Sequence, residues 1–150
     1  MIRTALPVYS KWSFWNRVHT MSFESFAATF AQTLPESEKR TAYDRYVCPT
    51  PGRIYLEGAL GIGSGISPGN PRRAPLLICE GSNDLVMDPS TVHANYLKQS
   101  HAPSLTEYKI FPGRSHFLFH EPGWEEVADF AINWASRNAH GRVPSQAEAA

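Results

Sequence analysis

Only two cysteines occur in the chain, Cys48 ahead of Pro49 and Cys79 inside an apolar run. Two such thiols make no disulfide framework. With no secretory apolar stretch near Met1, they point to a reducing compartment, the cytoplasm. An excess of one charge is also missing: 14 Lys and Arg balance 14 Asp and Glu. That excludes the basic surplus by which nucleic acids and anionic membranes are recognised. No apolar run approaches the roughly 20 residues of a membrane span. No internal repeat is present. Nowhere does Gly-x-Ser-x-Gly occur, the turn that presents an activated serine.

What is present fits a globular protein, 42% hydrophobic and 19% charged. Its 150 residues make one domain or slightly more, long enough to bury about 70% of the unfolded surface. Composition divides them into a helical section with a Gly/Pro-rich linker over 1–73, an α/β section over 74–138, and a flexible tail over 139–150.

The α/β section carries the strongest signals. Leu76-Leu77-Ile78-Cys79-Glu80 reads as a strand covered on both faces, and Gly81-Ser82-Asn83-Asp84 as the turn that follows. Asp88-Pro89 caps a helix to about Gln99 with Val92, Tyr96 and Leu97 inward. Leu105 to Phe111 alternates as a second strand, ended by Pro112-Gly113 before Arg114-Ser115-His116. Strand, helix, strand at this spacing is a βαβ unit with a short parallel sheet. Asp84 and His116 then leave the C-terminal ends of neighbouring strands, where open α/β sheets gather their ligands. A last helix over 123–137 buries Trp124, Val127, Ala128, Ala131, Trp134 and Ala135.

Upstream, the aromatic stretch 1–20 reads as a packed loop. Ser22 caps a helix to Leu34, with Phe23, Phe26, Ala27, Phe30 and Ala31 on its apolar face. Pro35 opens a second helix that Pro49 stops, and a third runs over about 53–60. Gly61-Ile62-Gly63-Ser64-Gly65 lacks the Lys-Ser/Thr of a phosphate loop and the spacing of a nucleophile elbow, so Ser64 reads as linker.

The turns at Gly81–Asp84 and Phe111–Phe117, with the Gly123-Trp124-Glu125-Glu126 helix start, resemble the C-terminal part of an α/β-hydrolase. The resemblance covers residues 1–138, more strongly after Pro75. It implies a partial α/β-hydrolase fold, in which the aromatic helices of residues 1–60 stand for the cap. Asp84 matches the acid and His116 the base of a catalytic triad, in the chain order nucleophile, acid, histidine. The nucleophile elbow and oxyanion loop of that family precede its cap and have no counterpart here, so the expected role is a C-terminal portion. In the complete enzyme it would act on a small-molecule substrate, with no cofactor or metal. Self-association, or pairing with an upstream half, is the expected partnership; the alternative is a non-catalytic interaction module or an inactive remnant.

Other candidates are weaker. Trp15 and Phe117 could wall an acyl or alkyl pocket, or simply fill a core. His116, His120 and Glu121 are metal-ligand types at helical spacing, but prolines and glycine flank them. Cys79 falls mid-strand, and Ser115 adjoins His116 too closely in sequence to serve as its nucleophile.

Overall fold

A computed structural model describes residues 2–138, with side chains from residue 6 onward; the tail expected over 139–150 lies outside them. The first helix, α1 (Ile2–Tyr9), and a 3-10 turn (Phe14–Asn16) replace the loop expected over 1–20. The apolar spacing of Ile2, Ala5, Leu6 and Tyr9 is helical, but Pro7 obscured it. Strand β1 (Val18–His19) pairs antiparallel with β2 (Thr50–Pro51), a two-residue ladder the sequence did not announce.

Between those strands lie α2 (Phe23–Thr29) and α3 (Glu36–Tyr46). Ser22 caps α2 by accepting from the Ser25 amide at 3.2 Å. The helix stops at Thr29, short of the expected Leu34. Pro35 disfavours helical angles at Leu34, and the Phe30 carbonyl lies 2.9 Å from Ser115 Oγ. Helix α4 (Gly52–Leu60) follows β2 directly. A Cβ at Gly52 would stand 1.8 Å from the Phe14 carbonyl oxygen, so only glycine fits where α4 meets the N-terminal turn. Gly61, at φ 68°, closes α4.

After the linker come β3 (Leu76–Gly81), α5 (Pro89–Gln99), β4 (Thr106–Phe111) and α6 (Trp124–Asn138). Strands β3 and β4 are parallel, in a register running from Leu76 opposite Thr106 to Gly81 opposite Phe111. This makes the chain mixed α/β with a short parallel sheet. Asp88 caps α5 by accepting from the Ser90 amide at 2.9 Å. Tyr96 stacks on Tyr108, fixing α5 to one face of the sheet. On the other face, α6 brings Val127 and Phe130 against Phe111, Leu118 and Cys79, and Trp134 Nε1 donates to Glu107 at 2.7 Å.

Two expectations fail in detail. Leu97, Trp124 and Ala135 are exposed, because two strands are too narrow to cover a whole helix face. For the same reason Leu76 to Cys79 are only partly buried, rather than covered on both sides.

The division at residue 73 does not separate the cores. Phe26, Ala31 and Leu34 from the helical section form one buried cluster with Phe117 from beyond β4.

Candidate active site

Two turns at the C-terminal end of the sheet are tied together strand by strand. The Ser82 amide donates to Phe111 O at 3.0 Å, and the Gly113 amide to Ser82 Oγ at 2.8 Å. Asn83 donates through its amide to Arg114 O at 2.8 Å and through Nδ2 to Gly113 O at 3.2 Å. Arg114 in turn donates to Gly123 O at 2.6 Å and pairs with Glu126 at 3.1 Å, anchoring the second turn to α6. The close approach requires Gly81: a Cβ there would lie 2.4 Å from the carbonyl oxygens of both Arg114 and Ser115.

This framework sets Asp84 Oδ2 2.7 Å from His116 Nδ1. Asp84 Oδ1 accepts from the Val86 and Met87 amides at 2.7 and 2.9 Å, a local turn that fixes the carboxylate. The acid side chain is 6% exposed and the imidazole 33%. Phe30 meets the imidazole edge-on, with centroids 5.1 Å apart and planes at 86°. With Asp84 as acceptor, Nδ1 carries the proton and Nε2 keeps its lone pair. Nε2 makes no hydrogen bond among the described residues, so the pair presents an oriented, reachable base.

The remaining candidates separate from this pair. Phe117 is buried against Phe26 and Tyr46. Its outer side borders a shallow groove shared with Leu34, Ala42, Arg45, Tyr46 and His120. Trp15 packs on Phe14 and Trp12 in the N-terminal aromatic group, with no ring contact or hydrogen bond to Asp84 or His116. Ser64 Oγ donates to Gly61 O at 2.8 Å within its own exposed turn. Cys79 is half-buried, and burial together with Glu107 pushes its thiol pKa up, which lowers its reactivity. His120 turns to the Tyr46 hydroxyl and Glu121 to Ser115, so neither joins His116. Among the described residues no group of three His, Cys, Asp or Glu could hold a metal ion.

Two supports of the site escaped sequence reasoning. Glu121 is buried and accepts from the Ser115 amide at 2.7 Å, while also contacting Ser115 Oγ. Gln32 Nε2 donates to Asn83 O, linking the segment after α2 to the acid-bearing turn. Pro122 and Gly123, next to Glu121, are the one local signal available for it.

No protein-family model matches the chain, and neither a curated protein nor a solved structure does. Among the described residues no helix is long and apolar enough to cross a membrane.

Proposed function

We propose that this chain is the C-terminal portion of an α/β-hydrolase-type hydrolase, supplying the acid and base of a triad whose nucleophile lies on another polypeptide segment. The observation that carries the reading is the 2.7 Å contact between Asp84 Oδ2 and His116 Nδ1 at the ends of adjacent parallel strands. Asp84 holds the imidazole in one tautomer and stabilises imidazolium. His116 Nε2 takes the proton of the attacking hydroxyl and returns it to the leaving group, then does the same for water. The bond is an ester or a related bond of a small molecule. The free outer edge of β3 is the place for the upstream half, since a parallel strand there ends at the same rim as Asp84. A reducing cytoplasm fits the unpaired Cys48 and Cys79.

The test is hydrolysis of p-nitrophenyl acetate by the chain, by His116→Ala and by Ser64→Ala. None should turn over above the background of free imidazole. Loss of one oxyanion donor alone costs about 10²–10³ in turnover, and here the nucleophile is missing as well. Co-expression with an upstream α/β-hydrolase half that carries Gly-x-Ser-x-Gly should restore turnover, and His116→Ala should abolish it again. Turnover by the chain alone that Ser64→Ala removes would overturn the proposal. So would a complex that assembles but stays inactive, which is the behaviour of an interaction module.

A further inference from the structure

The outer edge of β4 carries a second message, independent of the catalytic reading. The Leu76 amide donates to Leu105 O at 2.9 Å, and the Ser82 amide to Phe111 O at 3.0 Å. With the parallel register, these bonds turn the backbone groups of Glu107, Lys109 and Phe111 toward β3. Those of Thr106, Tyr108 and Ile110 therefore point outward, and no hydrogen bond meets them among the described residues. The same strand leaves Leu105 and Ile110 each 45% exposed. Such an edge is a template for another strand.

We infer that the chain forms a symmetric dimer in which β4 pairs antiparallel with β4 of a second copy, centred on Tyr108. The occupant and the register follow from backbone parity and charge. In an antiparallel ladder, residues with outward backbone groups face one another, so the two-fold axis falls at residue 107, 108 or 109 or further toward an end. An axis at 107 sets Glu107 against itself, and one at 109 sets Lys109 against itself; like charges directly opposite are unfavourable. An axis at Tyr108 places Glu107 opposite Lys109 of the second copy, twice by symmetry. It also sets Leu105 against Phe111 and Ile110 against Thr106, covering both exposed side chains. The product is a continuous four-stranded sheet in place of a marginal two-stranded one. Each β3 outer edge remains free, so dimerisation leaves both Asp84–His116 pairs accessible. The edge of β3 itself has no comparable charge code, since Glu80 is the one charged residue of Leu76–Gly81 and has no opposite charge on its own strand to face.

Sedimentation of the chain should give twice the monomer mass. Lys109→Glu sets Glu against Glu and should give a monomer. Glu107→Lys sets Lys against Lys, also gives up the Trp134 bond, and should likewise be monomeric. Mixed together, these two variants restore both opposite-charge pairs and should form a heterodimer of twice the monomer mass. A misfolded variant would not be rescued by the other. A wild-type chain that stays monomeric, a dimer indifferent to either charge change, or a mixture that stays monomeric would each overturn the inference.

Discussion

Gly81 and Ser115 stand so close that a Cβ on the first would lie 2.4 Å from the carbonyl oxygen of the second. That approach brings the two strand-end turns into one frame, and the Asp84–His116 contact depends on the frame. Gly81→Ala should therefore force the turns apart and cost about 1–3 kcal/mol, the range for overpacking a tight site. Urea unfolding followed by circular dichroism measures it. An unchanged midpoint would mean that the turns are not held this closely.

Ser115 offers a contrast with Ser64. Ser115 is fully buried and links Phe30 O, Glu121 and the Phe117 amide. Ser115→Ala should leave these groups short of a partner and cost about 1–3 kcal/mol. Ser64 lies on an exposed turn, and Ser64→Ala should fall within about 0.5 kcal/mol of wild type. Thermal melts of the two variants should separate clearly; equal melting temperatures would contradict the buried network.

Tyr108 predicts how stability responds to alkali. Burial and the neighbouring Glu80 carboxylate push its phenol up to about 12 from an ordinary 10. Between those values the unfolded chain releases a proton that the folded chain retains. The stabilisation is thus complete below pH 10 and is lost as pH rises toward about 12. Cys79, whose thiol is also raised, adds a loss of the same sign beginning near its ordinary 9.0. Urea midpoints measured from pH 9 to 12 should fall, and less steeply in Tyr108→Phe. The same slope in both would remove Tyr108 as the cause.

The placement of Asp84 and His116 was legible because local chemistry announces it. A glycine turn after an apolar run and a Pro-Gly turn after an alternating run place Asp84 and His116 at strand ends without further information. The caps Ser22 and Asp88 were legible for the same local reason. What holds the site is not local. Ser115 meets Phe30 across 85 positions, and Gln32 meets Asn83 across 51. No periodicity encodes such pairs. Side-chain coverage also depended on sheet width, which no single strand reveals, so Leu97, Trp124 and Ala135 were assigned to buried faces they do not occupy.

The central claim is that Asp84 holds His116 as a poised base, and ¹⁵N NMR of the histidine side chains tests it most directly. His116 should show a protonated Nδ1 and a lone pair on Nε2 once the ring is neutral. Asp84→Asn should keep the turn contacts of Oδ1 yet turn the Nδ2 donor toward Nδ1, moving the ring proton to Nε2. A wild-type His116 protonated at Nε2, or one unaffected by Asp84→Asn, would contradict the account.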